Sequence, residues 1–400
     1  MSENILEPLV DGLVDSFKLV FKCINKCYGK KNYDFDRFFK EIYLKNKSNE
    51  HPKKIKFYKN ENFDIYVFSV PIGICIKDFE EKLDKITFFM GVNKENLRLE
   101  SKGYNIELKV MTSRPNVVYD SEKHKMIKFK VPVGINLNTL KLRYWDLSDP
   151  ANSHCYIAGS TRCGKSTLIR LIVSMLVKKS VADVQLSLIN IKNVDLNEFE
   201  NCKNTIHYTI DEDKANDILI QNAEEMKRRY ITFSKYKGVK NIWNYRNKVG
   251  KMPIRIIVIE EIAGFEQDKE FHKTLRLIAQ QGAGAGIFLL LATQLPNKDV
   301  LPNLTKQNIN TVFGGKCKDS IRSDIIIEDG DLHKLKGKGH MKVFDSDSYG
   351  TEIQVLWIDD EVVEDIAQQN LKRSLRKNKR AIEGATPTAQ GDSTIPSKAM

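Results

Sequence analysis

The alternation of apolar and polar positions changes character several times along the chain. Over residues 2–28, Ile5, Leu6, Leu9, Leu13, Phe17, Val20, Phe21 and Ile24 recur every three or four positions among acids and lysines. That spacing predicts one amphipathic helix. Residues 29–59 are lysine-rich and contain His51-Pro52, which reads as a basic linker. Residues 63–68 alternate like a strand, and Pro71-Ile72-Gly73 ends it as a turn. Residues 76–89 return to helical spacing through Phe79, Leu83, Ile86 and Phe89, and 96–100 and 104–111 read as strands turning at Lys102-Gly103. This order predicts a small α+β domain over 61–124.

From residue 125 the pattern becomes one of buried runs. Residues 126–131 look strand-like before a turn at Pro132-Val133-Gly134. Continuous apolar stretches at 155–158, 184–191, 254–259, 287–292 and 309–313 alternate with helical segments. Strands apolar on both faces, separated by helices, predict an α/β fold with a parallel sheet covered on both sides. This domain is expected over 125–358. A charged helix from 359 to about 379 comes next, ending in Lys372, Arg373, Arg376, Lys377, Lys379 and Arg380. The remaining tail to Met400, rich in Gly, Pro, Ser, Thr and Ala, is expected to be disordered. The four expected segments are thus 1–60, 61–124, 125–358 and 359–400.

The first of the buried runs leads into Gly159-Ser160-Thr161-Arg162-Cys163-Gly164-Lys165-Ser166-Thr167. This is the G-x-x-x-x-G-K-[ST] phosphate loop with a strand before it and a helix after it. Gly159 and Gly164 permit the backbone that lets amide groups converge on phosphate oxygens. Lys165 supplies a point charge for the β- and γ-phosphates, and the Ser166 hydroxyl can ligate Mg2+. The helix after the loop aims its positive end at the same anion. The predicted ligands are ATP and Mg2+.

Composition narrows the surroundings. The net charge is +12 and the hydrophobic content 41%, which supports a real core and favours nucleic acid over an anionic membrane as the partner of the excess charge. No run of about 18 apolar residues predicts a spanning helix, and no signal-peptide pattern opens the chain. Seven irregularly spaced cysteines, Cys23 and Cys27 included, form no zinc pattern and read as reduced thiols of a cytoplasmic protein.

Ile256-Ile257-Val258-Ile259 followed by Glu260-Glu261 reads as a buried strand ending in two carboxylates. One acid would serve the Mg2+ shell and the other the attacking water. Gln294 ends another apolar strand, where a polar group could sense the γ-phosphate.

Together these residues resemble the motor domain of the FtsK/SpoIIIE family of double-stranded DNA translocases. Similarity runs from the lead-in at His154-Cys155-Tyr156 through Ile189-Asn190-Ile191-Lys192, Glu225-Met226-Lys227-Arg228-Arg229-Tyr230 and Gly238-Val239-Lys240-Asn241. It continues through Ala285-Gly286-Ile287, Ala292-Thr293-Gln294 and Lys336-Gly337-Lys338-Gly339-His340-Met341. It covers roughly residues 125–345. The resemblance implies a RecA-like fold, ATP hydrolysis coupled to DNA translocation, and assembly into a hexamer. Three positions depart from the family pattern: Glu260 stands where Asp is usual, Asn190 replaces an acid, and Ala283 stands where arginine is common. Arg276 and Arg322 remain as arginine-finger candidates, Arg322 being preferred for its place beside Lys318-Asp319-Ser320. The chain is expected to lack the winged-helix reader and membrane spans of chromosomal members, as motors of conjugative elements, plasmids and phages do. A relaxase or secretion-channel protein is the implied further partner, able to bring the motor to the membrane periphery. The alternative expectation is a slow, nucleotide-gated adaptor that binds DNA or relaxase without processive translocation. Restoring Asp at Glu260 discriminates the two.

Overall fold

Aliphatic runs that leave neither face to water organise the larger part of the molecule, and an aromatic cluster organises the smaller. The computed structural model describes residues 33–60, 62–112, 117–297, 299–327 and 330–372. The expected N-terminal helix at 2–28 and the basic run and tail beyond Lys372 lie outside them. The described residues form two compact units, one on each side of residues 115–116.

In the first unit, Phe35, Phe38 and Phe39 line the buried face of the helix Phe35–Glu41, capped by the Asp34 side chain, which accepts from Arg37 N. The sheet contains β1 (Lys53–Lys59), β2 (Phe63–Ser69), β3 (Leu97–Lys102) and β4 (Asn105–Met111) in the antiparallel order β1-β2-β4-β3. The linker expected over 29–59 is therefore corrected where it is described: it holds a core helix and an edge strand. The lysines that suggested a linker suit an edge strand, where charge deters further pairing. The helix expected over 76–89 is broken at Lys82 into Ile76–Glu81 and Leu83–Met90, the second closed by left-handed Gly91. Phe38 stacks on Phe89 with ring centroids 4.0 Å apart, and Phe35 and Phe39 meet Phe68 edge-on.

The second unit holds one ten-stranded sheet. Its strands are β5 (Lys130–Asn136), β6 (Leu142–Asp146), β7 (Cys155–Ala158), β8 (Val184–Ile189), β9 (Thr205–Thr209), β10 (Ile254–Ile259), β11 (Ile287–Thr293), β12 (Thr311–Gly315), β13 (His340–Asp345) and β14 (Ser348–Val355). The order is β6-β5-β14-β13-β12-β7-β11-β10-β8-β9. From β12 to β9 all pairs are parallel, and from β6 to β12 all are antiparallel. The expected turn at 132–134 is corrected to the middle of β5. Its register against β6 shifts between Pro132 and Gly134, the kind of irregularity at which a residue without an N–H is tolerated in a sheet.

Helices Glu212–Ser234 and Lys269–Ala285 pack into one cluster with Ile257, Ile259, Leu289 and Leu291. Within the segment Glu225-Met226-Lys227-Arg228-Arg229-Tyr230, Arg229 and Tyr230 prove to be braces between these two helices. Buried Arg229 pairs with Glu225 at 2.9 Å and donates to the Ala285 carbonyl at 2.9 Å, while Tyr230 donates to the Gln281 carbonyl at 2.7 Å. The C-terminal helix runs Asp360–Gln369, shorter than expected, because Leu371 leaves it to bridge Cys202. None of the helices among the described residues is long and apolar enough to cross a membrane.

Candidate functional site

Parallel register brings the site together. Ala158 pairs with Thr293 on one side and Gly314 on the other, and Ile259 pairs with Leu291. The residues after β7, β10 and β11, namely Gly159, Glu260 and Gln294, consequently emerge at the same carboxyl edge of the sheet, where ligands of open α/β sheets bind.

Gly159 (φ +152°) and Gly164 (φ +106°) adopt backbone that side chains rarely follow, and Arg162 is left-handed at φ +63°. A Cβ on Gly159 would lie 2.9 Å from the Cys163 sulfur and the Gly315 backbone. The loop is held at both ends of its entry: Gly159 N donates to the Thr293 carbonyl at 3.4 Å and Ser160 N to the Lys316 carbonyl at 2.8 Å. Lys165 begins the helix Lys165–Val177, whose apolar faces bury Leu168, Ile169, Leu171 and Ile172. Its buried ammonium donates to the carbonyls of Gly159 at 2.6 Å and Ser160 at 3.1 Å. Burial lowers its pKa from the ordinary lysine value. The same burial raises the Cys163 thiol.

The two glutamates share a strand end but not an environment. Glu261 accepts from the Thr293 hydroxyl at 2.7 Å, from Gln294 N at 3.1 Å, from Ala263 N at 3.4 Å and from the Lys192 ammonium at 2.7 Å. Glu260 is buried at 4% exposure, its Oε2 has no hydrogen-bond partner, and Lys192 stands 3.9 Å away. Burial pushes Glu260 up to about 7; Lys192 opposes the rise, while the like charge of Asp195 adds to it. The Thr161 hydroxyl donates to the Gln294 side-chain oxygen at 3.3 Å, so Gln294 reaches the phosphate loop.

The buried Glu260 Oε2, without a hydrogen-bond partner, and the Ser166 hydroxyl at the start of the helix Lys165–Val177 are hard oxygen donors of the kind that suits Mg2+. Among the described residues, no group of three or more His, Cys, Asp or Glu could hold a metal ion. Arg322 stands apart from this network. It lies on the helix Ser320–Ile327 and pairs with Asp319 at 2.6 Å, its side chain 42% exposed. Arg276 is an exposed residue of the helix Lys269–Ala285. The sequence does not single out Lys192, Asp195 and Thr293 as site residues, although Lys192 and Thr293 sit in segments that carry the family resemblance.

Residues 117–264 match the FtsK/SpoIIIE family. The chain is 33% identical over 224 residues to the DNA translocase FtsK of Clostridium tetani, covering 53% of this chain and 30% of that protein. It is 29% identical over 255 residues to the DNA translocase FtsK of Staphylococcus aureus strain Mu50, covering 60% and 32%. It thus spans about a third of the length of these relatives. Among solved structures, the pCW3 conjugation coupling protein TcpA, in a monomer form with ATPgS, superposes with a TM-score of 0.58 at 19% identity, covering 83% of this chain and 97% of that one. EssC (ATPases 2 and 3) from Geobacillus thermodenitrificans gives 0.56 at 18% identity, covering 68% and 53%. With its phosphate loop and paired glutamates inside the matched segment, the chain is similar to the FtsK/SpoIIIE family over residues 117–264 and is built on a RecA-like P-loop fold.

Proposed function

We propose that the chain is an ATP-dependent motor that translocates double-stranded DNA without reading its sequence, in plasmid, phage or conjugative transfer. The convergence of the phosphate loop, Glu260, Glu261 and Gln294 on one sheet edge carries this reading. The names borne by the curated relatives, DNA translocase, and by one fold neighbour, conjugation coupling protein, support it. ATP binds along residues 159–167, with Lys165 exchanging its two carbonyl partners for the β- and γ-phosphates. Ser166 and Glu260 would hold Mg2+, which would supply charge neutralisation to the bound triphosphate. Glu261, oriented by Thr293, Gln294 N and Lys192, positions the attacking water. The Gln294 side chain, in contact with Thr161, responds to loss of the γ-phosphate. In a hexameric ring Arg322 would leave Asp319 to reach a neighbour's nucleotide. Surface lysines and arginines grip DNA phosphates, and a relaxase or secretion-channel protein recruits this cytoplasmic motor.

The test is the steady-state ATPase rate without DNA, with single strands and with duplex, with Lys165→Ala as the blank. Duplex stimulation that vanishes in Lys165→Ala is expected. Full activity in that variant would refute the site. A flat, low rate that Glu260→Asp raises would favour the nucleotide-gated adaptor.

A further inference from the structure

The β13–β14 hairpin reaches across to the phosphate loop from the antiparallel half of the sheet. Just before β13, Gly337 (φ +79°), Lys338 (φ +53°) and Gly339 (φ +84°) are left-handed in succession. Left-handed residues ordinarily occur singly, and Lys338 bears the side-chain penalty of that region, a cost that persists where surrounding structure enforces it. The enforcing contacts are visible. Lys338 N donates to the Arg162 carbonyl at 3.3 Å and Gly339 N to the Cys163 carbonyl at 2.7 Å. From behind, the Gln354 side-chain amide donates to the Lys338 carbonyl at 2.8 Å, and Val355 N donates to the Gly339 carbonyl at 2.9 Å. The approach is so close that a Cβ on Gly164 would lie 2.6 Å from Gly339, and one on Gly339 would lie 2.8 Å from the Gln354 amide.

We propose that residues 337–339, backed by Gln354, form a strap that positions the phosphate loop, and that Gln354 and Gly339 are positioning residues for nucleotide binding. The proposal rests on the ATP-site reading above and adds a set of residues to it. In a trans peptide the carbonyl and the N–H point in opposite directions. Tying the carbonyls of Arg162 and Cys163 to the strap therefore turns the N–H groups of Cys163 and Gly164 away from it. Gly164 then serves two surfaces: its lack of a side chain admits the strap on one side as well as phosphate on the other. The lysine-glycine segment, part of the family resemblance but without an assigned chemistry, gains a role through these contacts.

The experiment compares the unchanged full-length chain with Gln354→Ala, Gln354→Lys and Gly339→Ala. It reads amide hydrogen exchange across residues 158–170 in nucleotide-free protein, Kd for Mg–ATPgS, and Tm. Losing the anchor in Gln354→Ala should speed exchange in that segment and weaken nucleotide binding about fivefold, the scale of one hydrogen bond, with Tm nearly unchanged. Gln354→Lys, which keeps a donor, should recover most of both. Gly339→Ala should act in the same direction and more strongly. Unchanged exchange in Gln354→Ala would overturn the strap, as would faster exchange spread over the whole second unit. Because exchange is read without nucleotide, failure of the strap is separable from failure of the ATP-site reading, which would appear as loss of Mg–ATPgS binding by the unchanged chain.

Discussion

Glu260 and Glu261 differ by position on a single strand end, and that difference divides their work. Side chains of successive residues leave an extended backbone on opposite sides. One glutamate meets Thr293, Gln294 N and Lys192, while the other enters a buried space where one oxygen has no hydrogen-bond partner. The folded chain therefore holds a proton on Glu260 up to about 7, against an ordinary value of 4.5. Binding that proton more tightly in the folded than in the unfolded state stabilises the fold fully below about 4.5. The contribution is lost as pH rises through 7. Glu260→Gln keeps a neutral side chain at every pH. Thermal melts in EDTA should find the two proteins close in Tm at pH 5 and the variant increasingly ahead by pH 8; parallel curves would contradict the buried-carboxyl account. The adjacency of the acids is plain in the sequence. Their unequal surroundings are not, because Lys192 and Thr293 arrive on separate strand ends.

Among elements, the least legible are those whose chemistry is mixed. Phe35, Phe38 and Phe39 have helical spacing, but basic neighbours hide it, and β1 alternates lysine with apolar residues, as suits an edge strand rather than a core one. β5 carries Pro132 and Gly134, ordinary turn residues, in its middle. Gly134 is there because β14 comes close: a Cβ would lie 2.6 Å from the Gln354 carbonyl oxygen. Gly134→Ala should accordingly destabilise the chain by about 1–3 kcal/mol, the usual scale of overpacking. Urea melts would measure it, and a neutral or stabilising result would mean that β14 yields at no cost. The same crowding backs the strap, since Gln354 belongs to that strand. The long apolar strands are legible with nearly correct bounds because full burial on both faces demands uninterrupted aliphatic residues.

For the molecule as a whole, the net charge of +12 makes salt the informative variable. Phosphate contacts release counterions whatever the base sequence. Duplex binding by the full chain should weaken by about a thousandfold between 50 and 200 mM salt if six or more phosphates are neutralised. Two duplexes of unrelated sequence should give the same slope in a titration series. A salt-insensitive affinity, or one that depends on sequence, would place the excess charge elsewhere.

The sequence by itself determined the phosphate loop motif, the glutamate pair and five of the six strands of the parallel half of the sheet, β9 being the exception. Each is written in short-range rules: glycine where the backbone turns left-handed, a lysine and a hydroxyl at fixed offsets, and aliphatic runs where both faces are covered. Only the tertiary structure decided the antiparallel half of the sheet, the unequal partners of the two glutamates and the strap behind Arg162 and Cys163. All three depend on contacts between segments far apart in the chain: those of the glutamates join side chains that only the strand order brings together, and those of the sheet and the strap run largely between backbone groups. Backbone groups are the same in every residue, so side-chain pattern carries little trace of which ones will meet.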